Sequence, residues 1–176
     1  MSDGGPRRIG VSIELKPHAY DPFASPELFD GVLSRRVIAF IIDVTIIALP
    51  VLFVAVLIFI FGVITLGFGW LLYALLYPAA VLWALFYYGV TFGSPASATI
   101  GMRVMDLEMR TWYGAPAYFV LGAVHAVVYW LTVSFLTPFV LLIGFFNVRK
   151  RLLHDILVGT VVINSPARAQ ALRGAR

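Results

Sequence analysis

The sequence predicts an all-α membrane protein: a four-helix transmembrane bundle, its last two spans a short hairpin, with a small cytoplasmic two-stranded β element. Composition is the first reason. Of 176 residues, 61% are hydrophobic and 12% charged, against roughly 45–50% and 25% in soluble domains. A chain of this size cannot bury so much apolar side chain in one core, so its solvent is lipid. Length is the second, because the apolar stretches supply three to four segments of the about 20 residues that a helical span needs. The third is charge placement: arginines and lysines cluster at the ends of the apolar stretches, which is how a membrane protein sets its orientation. The net charge of +4 therefore belongs to the membrane surface and not to a nucleic-acid stripe.

Residues 1–30 mix Gly, Pro, Ser and charges without periodicity and read as an irregular cytoplasmic tail. No cleavable signal is expected there, since a long polar stretch precedes the first apolar run. Ser25 and Pro26 fit the N-cap and first position of a short interfacial helix. Residues 31–164 form one membrane domain, and 165–176 a basic C-terminal tail.

The first span runs from Val37 to Phe61, interrupted by Asp43, Thr45 and Pro50. A glycine-rich turn, Gly62 to Gly69, leads to a second span from Trp70 to about Val90, with aromatic rings at both ends and Pro78 predicting a kink. Arg103, Met105, Leu107 and Met109 alternate with Met102, Val104, Asp106 and Glu108, the period of a strand with one apolar face. Val158 to Asn164 is a β-branched candidate partner. Paired strands must share one side of the membrane, because open edges do not exist in lipid.

Tyr118 to Phe146 is long for one span and short for two. Charge decides. Arg7, Arg8, Lys16, Arg35 and Arg36 precede the first span, Arg103 and Arg110 follow the second, and Arg149, Lys150, Arg151, Arg168, Arg173 and Arg176 end the chain. Putting all three groups inside requires an even number of crossings. The stretch is therefore expected to be a hairpin that breaks near Ser134 to Pro138; a single span would put the most basic segment outside.

The candidate chemistry lies in charges at these boundaries. Arg36 and Asp43 are seven residues apart and return to nearly one helix face, with Ala39 and Pro50 on the same stripe, which should face protein. The pair is about 10 Å apart along the axis, so another segment is expected to meet Asp43. The best placed is Asn147 to Thr160, with Arg151, His154 and Asp155; Arg103 is a further candidate. Asp155 reads as a docking carboxylate beside arginines, and His125 as a hydrogen-bonding group of the third span. Cysteine is absent, and His18, His125 and His154 have no matched ligand spacing, so neither a cofactor nor a metal is expected. Gly93 and Ser94 do not form a phosphate loop.

Three blocks, RRVIAFIID, TIGMRV and RLLHDILVGTVV, resemble those of the RDD family of bacterial membrane proteins, named for one arginine and two aspartates. The resemblance covers about Gly31 to Asn164. It makes Arg36 the arginine and Asp43 and Asp155 the aspartates, with His154, Gly159 and Thr160 also on the pattern. The family's middle block commonly reads T-P-G-K-R, where Ile100 and Met102 stand here. The resemblance implies a multi-pass protein of the bacterial inner membrane, and some members have been linked to cation/proton antiport.

Two functions follow as expectations. One is transport of cations or protons through Asp43. The other is a non-catalytic scaffold or partner-binding module in which Arg36, Arg103, Arg151, Asp43, His154 and Asp155 form a structural charge cluster. No nucleophile, base and orienter set suggests an enzyme. The expected partners are anionic headgroups at the cytoplasmic face, and a second copy or another membrane protein; nucleic acid is not among them. Both termini are expected to be cytoplasmic.

Overall fold

A computed structural model of the chain describes residues 18–136 and 139–175. The long helices are α1 (Val32–Ile64), α2 (Tyr73–Phe92) and α4 (Phe119–Leu136), and each is long and apolar enough to cross a membrane. Between and after them come α3 (Ile100–Val104), β1 (Leu107–Thr111), α5 (Phe139–Phe146), α6 (Leu153–Val158), β2 (Thr160–Asn164) and α7 (Pro166–Gly174).

Helix α1 opens on Gly31 in the left-handed region, φ 67°. Its 33 residues make about 50 Å of helix, well beyond the roughly 30 Å of a hydrocarbon core. Residues 44–64 alone supply about 31 Å, which leaves Arg35, Arg36 and Asp43 on the overhanging turns. The predicted protein-facing stripe holds for Ala39 and Asp43, which are buried, but Pro50 is exposed. It lies in the half of α1 with few neighbours, where Leu52 and Phe53 are also exposed.

The turn into α2 is a close approach. A Cβ on Gly62 would strike the Trp70 ring, and one on Gly69 would lie 2.7 Å from the Gly62 amide nitrogen. Trp70 Nε1 donates to the Phe59 carbonyl at 3.2 Å, and the Tyr73 hydroxyl to that of Ala55 at 2.8 Å. Helices α2 and α4 meet through a second glycine set. Gly89 of α2 and Gly93, the residue that caps its C-terminus, lie against Phe119, while Gly122 of α4 lies against Phe92 and the Tyr88 carbonyl. Small residues at such a contact let membrane helices pack at short range.

The strands pair antiparallel, Leu107 opposite Asn164 and Thr111 opposite Thr160. The middle block departs from the expected alternation over its first half. Thr99 accepts from the Met102 amide at 3.1 Å and caps a helical turn, so 100–104 is α3 and the strand starts only at Leu107, after Asp106 at φ 52°. Leu107, Met109 and Val162 join the core made by Val32, Ala39, Tyr88, Phe92 and Met102. Val161 and Ile163 point the other way and are covered by Tyr20, Leu28 and Phe29. The stretch from His18 onward, expected to be irregular, is thus laid across the sheet: Asn164 Nδ2 donates to the carbonyls of Glu27 and Asp30, and Arg173 on α7 pairs with Glu27. Pro26–Leu28 is a single 3₁₀ turn with no side-chain cap from Ser25.

Helices α4 and α5 make an excursion and a return. Helix α4 starts beside Gly93, and α6, beyond α5, is back against His125, one and a half turns into α4. The outgoing leg measures about 27 Å and the 8-residue returning helix about 12 Å. Of the expected break at Ser134 to Pro138, Ser134 is still helical, and residues 137 and 138 lie outside the described residues.

Candidate functional site

Asp43 is 4% exposed and points at the start of α3. Its Oδ1 accepts from the Tyr87 hydroxyl at 2.5 Å and from the Gly101 amide at 2.8 Å; its Oδ2 accepts from the Thr99 hydroxyl at 2.6 Å. The Tyr87 oxygen also accepts from the Ile100 amide at 3.3 Å. All three donors to the carboxylate are neutral, and among the described residues no arginine or lysine pairs with it. Gly101 is required by the approach, because a Cβ there would collide with the Ala39 carbonyl oxygen and lie 2.9 Å from Asp43 Cγ. The expected meeting of Asp43 with 147–160 is therefore corrected: the segment that reaches it is the middle block, whose capped turn brings one amide and one hydroxyl to the same point.

The 147–160 segment meets Arg36 instead. The guanidinium holds Asp155 with two bonds, Nη1 to Oδ2 at 2.5 Å and Nη2 to Oδ1 at 3.1 Å. Asp155 is fully buried and also accepts from the Leu152 amide at 2.9 Å, closing the first turn of α6. His125 reaches Oδ1 at 3.0 Å through Nε2; an ionised carboxylate only accepts, so this nitrogen carries the proton. His154 Nε2 lies 3.2 Å from Arg36 Nη2, and a guanidinium only donates, so this nitrogen accepts and the proton sits on Nδ1.

Electrostatics follow the same layout. Burial alone would raise the Asp155 carboxyl, but the Arg36 guanidinium and the bond from His125 outweigh it and hold it well below the usual carboxylate range. Burial pulls His154 down to about 3, with Arg36 adding to the effect and Asp155 opposing it. The corner is an ion pair flanked by imidazoles. His125, His154 and Asp155 offer ligand atoms within 4.8 Å of one another, the donor types of a metal centre. Arg36 already occupies both carboxylate oxygens and faces His154, so a cation would have to displace a guanidinium.

Arg103 and Arg151 stay out of both corners. Arg103 donates to the Ala98 carbonyl at 3.2 Å and the Ser94 hydroxyl at 2.6 Å. Arg151 donates to the carbonyls of Thr160 and Asp155, both at 2.8 Å, and lies over the Trp112 ring at 4.2 Å. Each ties neighbouring segments together through at least one backbone carbonyl. The single charge cluster read from sequence is thus two separate corners, with Arg36, His154 and Asp155 in one, Asp43 in the other, and two arginines outside them.

The family model described as the RDD family matches residues 31–159. The chain belongs to the RDD family. No curated protein and no solved structure matches it. The three RDD blocks are the three segments joined here: α1 supplies Arg36 and Asp43, α3 receives Asp43, and α6 receives Arg36. Gly159 and Thr160 close α6 and open β2, Gly159 at φ 74° and Thr160 fully buried.

In the sequence Tyr87 is one of the aromatic rings at the end of the second span and His125 a hydrogen-bonding group of the third, and neither is marked as a partner of the RDD charges. The signal for both was positional: each lies within two turns of the helix end that faces the RDD blocks. A cavity of about 730 Å³ runs between α1 and α4, and Arg36, Asp43, Thr99, His125 and His154 line it. Both polar corners open onto it. The Phe40 ring reaches across to Tyr129 at 5.5 Å.

Proposed function

We propose that the protein is a non-catalytic, multi-pass module of the bacterial cytoplasmic membrane, in which the RDD blocks lock three cytoplasmic segments onto the inner ends of the helices. The observation that carries this is how the charges at the inner end of α1 are used. Asp43 is answered by Tyr87, Thr99 and Gly101, and Arg36 by Asp155; each bond joins two segments distant in sequence. A buried carboxylate so fully bonded is a joint between elements. The locked surface, with Arg35, Arg103, Arg149 and Lys150 on it, faces anionic headgroups and presents the sheet to a partner, a second copy or another membrane protein.

The same reading has four crossings, with α4 leaving and α5 on the returning leg, and both termini inside. Pairing of β1 with β2 and of Glu27 with Arg173 supports a common side for the two ends, and the basic residues support the cytoplasmic one. Since the chain has no cysteine, single cysteines at Thr65, Ser134 and Ser165 with an impermeant thiol reagent test this. Labelling of the first two from outside, with the third protected, is expected; protection of Ser134 would leave three crossings or fewer.

A second reading, cation or proton transport, is favoured by one observation: Asp43, His125 and His154 line a single cavity. Reconstituted vesicles separate the two. The locking role predicts that Asp43→Asn lowers the folded yield and melting temperature while proton-coupled cation flux is at background in both proteins. Flux in the parent that is abolished in a well-folded Asp43→Asn variant would establish transport.

A further inference from the structure

The cavity between α1 and α4 has features that the lock does not explain. Its wall is largely apolar and aromatic, from Val37, Phe40, Phe92, Tyr129 and Phe145, and its about 730 Å³ lies within the roughly 300–1,000 Å³ of small-molecule sites. Its polar groups are unequally committed. Asp43 accepts three bonds, and Asp155, behind the wall, accepts from Arg36, His125 and Leu152. Two donors are unanswered. His154 is fully buried, and its Nδ1, which carries the proton, has no partner among the described residues. Lys150, half-buried on the same wall and held at φ 52°, has no acidic partner among the described residues. The cavity therefore offers an unpaired ammonium, that of Lys150, at its inner, α6 side and a largely apolar wall elsewhere.

We propose that this cavity binds an acidic amphiphile: one acyl chain lies between α1 and α4, and its carboxylate or phosphate is held by Lys150. Charge complementarity selects the acid, since every carboxylate near the wall is already bonded while an ammonium is not. Apolar lining selects the chain, each buried methylene contributing about 0.8 kcal/mol. A neutral amphiphile of equal length would fill the same space and leave Lys150 without a counter-ion.

The test uses the full chain purified in detergent and stripped of lipid, with an 18-carbon fatty acid carrying a mid-chain diazirine as the probe. Photolabels mapped by mass spectrometry are expected on residues 32–40 of α1 and 126–133 of α4. Oleic acid should displace the probe at least tenfold better than oleyl alcohol, equivalent to about 1.4 kcal/mol, and Lys150→Gln should erase that preference. Val133→Trp, which narrows the cavity from a partly exposed position, should lose the labels with its melting temperature retained. Competition by diacyl phosphatidylglycerol as strong as by oleic acid identifies membrane lipid as the natural source; competition by single-chain acids alone identifies free acyl chains. Labels confined to the outward-exposed stretches 52–57 and 71–79, or equal competition by acid and alcohol, would overturn the proposal.

Discussion

Removing Arg36 should cost more than removing Arg36 and Asp155 together. In an Arg36→Met variant the Asp155 carboxylate stays fully buried with only the Leu152 amide at 2.9 Å and His125 at 3.0 Å, and its counter-ion is gone. An uncompensated buried charge of this kind costs about 3–5 kcal/mol. Asp155→Leu should cost somewhat less. The stranded guanidinium is already 11% exposed on an overhanging turn and can extend toward the interface, so the loss is mainly that of the first-turn bond in α6, about 1 kcal/mol, of the bond from His125, and of the pair itself. In the double variant no ion is stranded, and the two replacements fill much of the vacated volume. The coupling should therefore be about 2–4 kcal/mol in favour of the double variant. Unfolding by sodium dodecyl sulfate titration in one mixed-micelle composition, followed by circular dichroism, gives the four free energies. Single effects that add to within about 0.5 kcal/mol would refute the claim that these residues stabilise the fold as a pair.

Three further outcomes follow from the same geometry. His154 binds a proton near pH 3 when folded and near 6.5 when unfolded. Its contribution is thus complete above pH 6.5 and is lost at about 1.4 kcal/mol per unit as the pH falls toward 3. Asp155, held below the usual range, acts only at lower pH, so His154→Gln should remove about 2 kcal/mol of the parent's loss between pH 6.5 and 4.5. Identical pH dependence of the two midpoints would contradict this. Gly101→Ala forces a Cβ into the Ala39 carbonyl and should lower stability by about 1–3 kcal/mol, read as a melting shift; an unchanged melting temperature would place α3 elsewhere. Tyr87→Phe removes a bond to a charged group and leaves the Ile100 amide bare. It should cost about 1.5–3 kcal/mol in the same titration, and no loss would show that Asp43 does not depend on it.

Much of the architecture was legible because lipid imposes simple rules. Apolar length located three long helices to within a few residues, and β-branched residues located β2. The start of β1 was misplaced because alternation over 102–105 is also what one helical turn shows, and Thr99 capping the Met102 amide decided for the helix. In the site, Arg36, Asp43 and Asp155 were visible as costly charges, but their pairing was not. Proximity in charge suggested Asp43 with arginines, whereas the fold satisfied it with two hydroxyls and an amide. Hydroxyls such as those of Tyr87 and Thr99 carry no charge to flag them in a sequence. The Gly89, Gly93 and Gly122 contact went unseen because its partner lies on another helix.

The ion pair between α1 and α6 spans 119 residues, whereas Asp43 finds Tyr87 44 residues later and Gly101 58 residues later. A ribosome adding about 5–20 residues per second therefore delivers the Asp43 latch first, and Arg36 waits on the order of ten seconds for Asp155. During that interval α1 and α2 are already joined, while β1 has no neighbouring strand along the edge that β2 will take. A chain interrupted before α6 would stop in this half-closed form, with Arg36 unmatched and an open strand edge at the membrane surface, the kind of edge that recruits another chain. The order of synthesis thus makes the last 25 or so residues the step that both seals the fold and conceals its most adhesive feature.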